Sequence, residues 1–152
     1  RIEDAVKAVQ LCKEYGIKTY LLFMIGLPWD SRETINETIR FALRLDGDFI
    51  DFNIAYPLPG TEFHDIAVKN RLFDENRLHG HDYSKPLVKT FTLSTDELVS
   101  LRRKALRRFY LRPRYLLRTL LSINSFAEMI NYAKAGIKVL VRVPQTTYAG
   151  EE

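Results

Sequence analysis

The chain has 152 residues and 17.7 kDa, with 46% hydrophobic and 28% charged residues and a net charge of +4; that is enough for one domain with its own core and excludes a disordered or collagen-like chain. Seven Gly, six Pro and a mean hydropathy of −0.19 leave no low-complexity stretch, and no apolar run is long enough to cross a bilayer. The single Cys12 excludes an internal disulfide and a multi-cysteine metal site, and no basic-then-apolar leader opens the chain, so a reducing, cytoplasmic setting is expected.

The chain starts at Arg1 without a Met and enters helical periodicity at once, so it reads as a piece of a longer protein. Ile2, Ala5, Val6, Val9 and Cys12 recur at helical spacing, and Gly16 stands where a helix C-terminus takes a left-handed residue. Ile17 to Ile25 is nearly continuous in apolar character, which predicts a strand buried on both faces of a parallel sheet. After Gly26-Leu27-Pro28, Asp30 is expected to cap a helix with Glu33 reaching back, and Ile35, Thr38, Ile39, Ala42 and Leu45 mark its buried face. A second strand from Phe49 to Ala55 alternates Ile50, Phe52 and Ile54 with Asp51, Asn53 and Ala55. The turn Tyr56-Pro57-Leu58-Pro59-Gly60 follows, and Thr61 caps a helix carrying Phe63, Ile66 and Ala67. Strand and helix in this rhythm predict a parallel α/β fold over residues 1–73.

Residues 74–93 are polar and irregular and read as a connecting excursion. Ser94-Thr95-Asp96-Glu97 is a capping box, and Leu98, Leu101, Ala105 and Phe109 form the stripe of a helix ending before Pro113. Two more helices are expected, from about Arg114 to Leu121 and from Ser125 to about Ala135, closed or kinked by Gly136. The helical extension thus runs over 94–143, with a loose tail over 144–152.

Charge divides the chain in two. Residues 1–97 carry 12 Lys/Arg against 16 Asp/Glu, net −4, whereas 98–152 carry 11 against 3, net +8. No acid occurs between Leu98 and Ala127, where Arg102, Arg103, Lys104, Arg107, Arg108, Arg112, Arg114 and Arg118 gather; such a field attracts anions. Leu101, Ala105 and Phe109 face inward while the cations spread around the helix, which is first of all the pattern of a solvated amphipathic helix or one facing acidic neighbours. An anionic lipid surface ranks second and nucleic acid third.

In parallel α/β sheets and barrels, ligands bind at the carboxyl ends of the strands. Both strand ends here carry unusual loops, Gly26-Leu27-Pro28-Trp29-Asp30 and Tyr56-Pro57-Leu58-Pro59-Gly60-Thr61, on one rim. Alternation sets Asp51, Asn53 and Ala55 opposite the helix-covered face, toward a more polar side such as a barrel interior. His79 and His81 lack a third ligand and read as a solvated loop, and His64 as a surface helix residue. Asp46 and Asp48 flank Gly47 in a helix-to-strand turn, where short polar residues are expected; no metal site is assigned to any of them.

The run Phe23-Met24-Ile25-Gly26-Leu27-Pro28-Trp29-Asp30-Ser31, followed by a helix and then by Asp51-Phe52-Asn53-Ile54-Ala55-Tyr56-Pro57-Leu58-Pro59-Gly60-Thr61-Glu62, resembles the last two strands of a radical SAM enzyme core. The stretch from Leu101 to Pro113 is similar to the helical C-terminal region of the cobalamin-binding branch of that superfamily. That branch includes magnesium-protoporphyrin monomethyl ester cyclase and lipid or antibiotic methylases. The resemblance covers about residues 1 to 140. It implies the last two βα units of a partial (β/α)6 TIM-like barrel followed by a helical region. In the whole enzyme a [4Fe–4S] cluster held by Cys-x-x-x-Cys-x-x-Cys would cleave S-adenosylmethionine to start methylation or cyclisation of a small or hydrophobic molecule. That motif is absent here, and Cys12 alone cannot hold a cluster, so the chain by itself is expected to be inactive, its cluster and any cobalamin domain lying upstream.

Carried over residue by residue, the resemblance makes Met24, Ile25, Gly26 and Leu27 the candidates to pack against and read the adenine of S-adenosylmethionine. Asp30 stands where relatives carry an acid, though it also suits a helix cap, and Trp29 departs from the family's loop. Asn53, Ala55 and Tyr56 are the candidates to line the cavity from the second strand. No catalytic residue and no metal ligand is assigned. The expected partners are a small-molecule substrate and the upstream half of the same protein, which is also a candidate acidic partner for the basic helices. Peripheral contact with an anionic membrane comes next; nucleic acid ranks last, although some radical SAM relatives modify transfer RNA. The alternative is a non-catalytic module that binds RNA or anionic lipid through the basic helices 98–118. Open sheet edges predict marginal solubility for the excised piece.

Overall fold

The computed structural model describes residues 1–73 and 87–122. In chain order it forms helix α1 (Ile2–Glu14), strand β1 (Tyr20–Ile25), α2 (Arg32–Leu45), β2 (Phe49–Ile54), α3 (Glu62–Lys69), α4 (Thr95–Tyr110) and α5 (Pro113–Ser122). Among the described residues this is a mixed α/β arrangement of five helices on a two-stranded parallel sheet, in register from Tyr20 opposite Phe49 to Ile25 opposite Ile54. His79, His81, the connecting residues 74–86, the helix expected from Ser125 with Gly136, and the tail from Pro144 lie outside the described residues.

One face of the sheet carries the core. Ile25, Ile50 and Phe52 are buried against Ile35, Ile39 and Ala42 of α2 and against Leu98, Leu101, Ala105 and Phe109 of α4, and the Phe23 ring stacks on Phe52 at 5.1 Å. Each such Ile, Leu or Phe side chain removed from water contributes about 1.5–3 kcal/mol, which makes this cluster the main source of stability. A smaller cluster of Ala67, Leu72, Leu87 and Val88, with Tyr56, Phe63 and Phe73 against it, seats α3 and the start of the segment after residue 86.

The other face departs from expectation. A strand buried on both sides is predicted from Ile17 onward, yet β1 begins at Tyr20, and Tyr20, Leu22 and Met24 are exposed, Met24 at 61%. The alternation is that of a half-covered strand, because no described element packs on this side.

Polar side chains close the outer edge of β2. The amides of Phe49 and Ala55 donate to the carbonyls of Thr19 and Ile25, so the backbone groups of Ile50 and Phe52 point away from β1. The Tyr110 hydroxyl accepts from the Ile50 amide at 3.0 Å and donates to the Ile50 carbonyl at 2.7 Å. The Asp51 carboxylate accepts from the Phe52 amide at 2.7 Å and from Arg102 at 3.2 Å. Edge groups that would otherwise invite pairing with another strand are thereby satisfied by α4 and by the strand itself.

In the basic stretch one residue departs from expectation, and acidic neighbours of the kind expected are present. Arg102 is buried and paired with Asp51, so it is not one of the solvated cations. Acidic neighbours for the basic helices exist within the chain: Asp46 lies 3.0 Å from Arg112, 3.5 Å from Lys13, 3.9 Å from Arg114 and 4.0 Å from Arg118. Asp48 lies 3.8 Å from Arg118 and accepts from the Thr19 amide at 2.9 Å. These contacts fasten α5 to the turn between α2 and β2.

Candidate functional site

The carboxyl ends of β1 and β2 lie side by side and extend one pairing past the strands, through the Ala55 amide on the Ile25 carbonyl at 2.8 Å. Gly26 follows at φ 88°, in the left-handed region, and a Cβ there would stand 3.1 Å from Ile54 and 3.3 Å from Leu98. Glycine is required both by the turn and by the packing of β2 and α4 against it, so its closeness serves its own fold.

Asp30 closes the first loop. Its carboxylate accepts from the amides of Gly26 at 2.7 Å and Leu27 at 3.0 Å and from the Thr34 hydroxyl at 3.2 Å. It is not the helix cap: Ser31 caps α2, its hydroxyl accepting from the Thr34 amide while the Thr34 hydroxyl accepts from the Ser31 amide at 3.0 Å. The capping box is therefore one residue later than the sequence suggests, because Asp30 is engaged by the loop amides behind it. Glu33 accepts from the Ser31 hydroxyl at 2.8 Å, and that hydrogen bond holds its carboxyl below the usual range.

The segment after residue 86 buttresses this loop. The Phe91 amide donates to the Pro28 carbonyl at 2.9 Å, the Thr92 hydroxyl donates to the Asp30 carbonyl at 3.0 Å, and the rings of Trp29 and Phe91 meet edge to face at 6.2 Å. The second loop turns at Gly60, and Thr61 caps α3, its hydroxyl donating to the Leu58 carbonyl at 2.7 Å and accepting from the His64 amide at 3.2 Å. His64 is not on the open surface; its ring is mostly covered and lies 6.0 Å from Phe73.

The candidate residues separate into three groups. Met24 and Asn53 are opposite each other in register on the uncovered face, with Leu27 exposed on the loop beyond. Ile25, Gly26 and Ala55 are buried, and Tyr56 is half-buried in the smaller cluster with Phe63 and Phe73. Asp30 has its carboxylate turned into the loop, where it occupies the amides of Gly26 and Leu27. What the rim offers to a ligand is an apolar surface of Met24, Leu27, Trp29 and Phe91 beside one amide side chain, Asn53.

No described group of three or more His, Cys, Asp or Glu converges as metal ligands, and Cys12 is half-buried on α1. Cavities of about 300 Å³ and 530 Å³ lie away from this rim, one at the amino ends of the strands around Lys13, Lys18, Asp48 and Arg118, the other between α1 and α2. Sequence reasoning passed over the Asp51–Arg102 pair and Tyr110. The readable signal was Arg102 itself, which stands within the stripe Leu98, Leu101, Ala105 and Phe109, where an exposed cation does not belong.

No family model matches the chain. Over 141 residues, 93% of its length, the chain is 32% identical to an uncharacterized methyltransferase of Pyrococcus horikoshii, covering 30% of that protein. It is 28% identical over 116 residues to the anaerobic magnesium-protoporphyrin IX monomethyl ester cyclase of Rubrivivax gelatinosus, which is 76% of the chain and 20% of the cyclase. The cyclase of the same name from Cereibacter sphaeroides is 28% identical over 112 residues, 73% of the chain and 18% of that protein. The chain thus spans less than a third of the length of these relatives. Such cyclases belong to the group that the two loop motifs resemble, so the similarity supports a radical SAM-like family for this chain.

Proposed function

We propose that this chain is the distal wall of a radical SAM barrel: residues 1–73 supply its last two βα units and residues 94–143 a helical extension. The whole protein would methylate or cyclise a small or hydrophobic molecule. The observation that carries this reading is the one-sided sheet. β2 is closed at its outer edge by Tyr110 and Asp51, whereas β1 pairs with no other described strand, and its free face presents Tyr20, Leu22 and Met24. A sheet finished on one side and open on the other fits the end of a barrel whose preceding strands come from the upstream half of the same protein. The exposed apolar residues of α1, Ile2 and Leu11, with Tyr15 and Ile17 just beyond it, fit covering by that half as well.

The residues present do not fit a [4Fe–4S] cluster, which needs several converging thiolates where this chain has Cys12 alone. No electron-transfer step is therefore assigned to it, and alone it is inactive. Its part is to hold the cofactor's nucleoside. Met24 and Leu27 supply an apolar platform for the adenine of S-adenosylmethionine, Asn53 a donor and acceptor beside it, and the Asp30 clamp keeps the loop rigid. Because Asp30 takes the amides of Gly26 and Leu27, the adenine edge is read by carbonyls and side chains. Cobalamin use would follow from the branch that the C-terminal helices resemble.

The experiment is anaerobic cluster reconstitution of the whole protein, followed by assay of S-adenosylmethionine cleavage to 5′-deoxyadenosine with dithionite present as the one-electron reductant. Cleavage is expected, with Met24→Asp raising KM for S-adenosylmethionine by about tenfold or more, since a carboxylate replaces the apolar contact. A reconstituted protein that leaves S-adenosylmethionine intact, or a Met24→Asp variant with unchanged KM, refutes the reading.

A further inference from the structure

Helix α5 is fastened to the domain by its aromatic and cationic side. Tyr115 is buried with ring centroids 5.5 Å from Phe109 and 5.2 Å from Tyr110, and Arg118 donates to the Gly47 carbonyl at 3.1 Å. Arg112, just before the helix, donates to the Leu43 carbonyl at 3.1 Å. At about 100° per residue this leaves Leu116, Leu117, Leu120 and Leu121 on the opposite side, and they are between 45% and 78% exposed. A surface helix of a globular domain turns its leucines inward; α5 turns them out.

Along the flank of this stripe a groove of about 360 Å³ is lined by Arg114, Leu117, Arg118 and Leu121, so guanidinium groups border the apolar side chains. Between Leu98 and Ser122 the chain has eight Lys/Arg and no Asp/Glu; Arg102 is buried on Asp51 and Arg112, Arg114 and Arg118 lie within 4.0 Å of Asp46, whereas Arg103, Lys104, Arg107 and Arg108 are exposed. A nucleic acid would take up the cations and leave the leucines in water. An anionic bilayer takes both: headgroups meet the arginines and the acyl boundary receives the leucines.

We infer that α5 is an interfacial helix that docks the protein on anionic lipid, lying in the plane of the surface with its leucine stripe down. No described helix is long and apolar enough to cross a membrane, so this contact is peripheral. The surface is separate from the strand-end rim and does not depend on the function proposed for it.

The test is sedimentation of the whole protein with phosphatidylcholine vesicles, with and without phosphatidylserine. Each cation brought to an anionic surface strengthens binding about fivefold, so the phosphatidylserine vesicles should bind at least about tenfold more tightly, and binding should weaken as salt rises. Leu117→Gln with Leu121→Gln should weaken binding about tenfold or more at an unchanged melting temperature, and Arg114→Gln about fivefold. Equal binding to both vesicle types, no binding, or unchanged binding by the leucine variant overturns the inference. So does a clearly lower melting temperature of the leucine variant, which would show protein covering the stripe. RNA that displaces the vesicles and binds the leucine variant as well as the native chain assigns the cations to nucleic acid and overturns it too.

Discussion

Replacing Tyr110 with phenylalanine removes one oxygen from the outer edge of the sheet and leaves the ring in its aromatic cluster, 5.1 Å from Phe109 and 5.2 Å from Tyr115. The lost hydroxyl accepts from the Ile50 amide at 3.0 Å and donates to its carbonyl at 2.7 Å. Two hydrogen bonds at about 1 kcal/mol each, in a half-buried place where water replaces them only in part, put the loss at about 2 kcal/mol. For a chain of this size that lowers the melting temperature by roughly 4–8 °C. Burial, and after it the neighbouring Tyr115, Tyr20 and Asp51, push the Tyr110 hydroxyl up to about 12. An unfolded tyrosine loses its proton near pH 10 while the folded one keeps it to about 12, so the folded state holds more protons in that window and its stability falls as pH rises. Discounted for the part of the ring in contact with water, the native chain should lose up to about 2 kcal/mol there, a loss that Tyr110→Phe does not share. Thermal and urea unfolding followed by circular dichroism, on both chains from neutral to strongly alkaline pH, measure both effects. A variant within about 1 °C of the native chain, with a difference in stability that does not shrink above about pH 10, refutes the edge-closing role of this hydroxyl.

Gly26→Ala forces a left-handed β-carbon against Ile54 and Leu98, and a loss of about 1–3 kcal/mol in thermal unfolding is expected; equal stability would show that the loop can shift. Arg102→Met leaves the buried Asp51 carboxylate without its cation and should cost about 3–5 kcal/mol, much of it recovered when Asp51→Asn is added. A double-mutant cycle measures the coupling, and additive losses would show that the pair is not one unit. The Glu97 carboxyl is held below its usual value by the Ser94 amide and hydroxyl, so its capping contribution is present above the ordinary glutamate range and fades as pH falls through the lowered value. Ser94→Ala, costing about 1 kcal/mol, should make acid unfolding less dependent on Glu97. An unchanged acid profile would exclude that coupling.

Much of the architecture is legible because it is local. The Ser94 to Glu97 box starts α4 where expected, its stripe of Leu98, Leu101, Ala105 and Phe109 is buried, and Thr61 caps α3. Ile50 and Phe52 face the helices as the alternation requires. What escapes is tertiary. The apolar run of β1 carries the information that both faces are suited to burial, but only one face is covered by described residues. Asp30 and Ser31 both qualify as caps, and the choice between them is made by the Gly26 and Leu27 amides four and three residues earlier. Arg102 looks like its neighbours Arg103 and Lys104 in composition, yet helical phase turns it toward Asp51, 51 positions away. At the strand ends, spacing brings Met24 and Asn53 into register, whereas the withdrawal of Ile25 into the core depends on how α2 and α4 pack.

Asp46 has a consequence for which substitutions the α2–β2 turn will accept. It ends α2 in the left-handed conformation, at φ 51°, and is at the same time the shared counter-ion of Lys13, Arg112, Arg114 and Arg118. The two demands select different residues. Glycine or asparagine satisfies the backbone but leaves four cations facing one another, and glutamate supplies the charge but fits the turn poorly. Aspartate meets both at once, so a single side chain in a helix-ending turn adds to the Tyr115 cluster and the Arg118–Gly47 contact in setting the docking of α5 and the outward turn of its leucines.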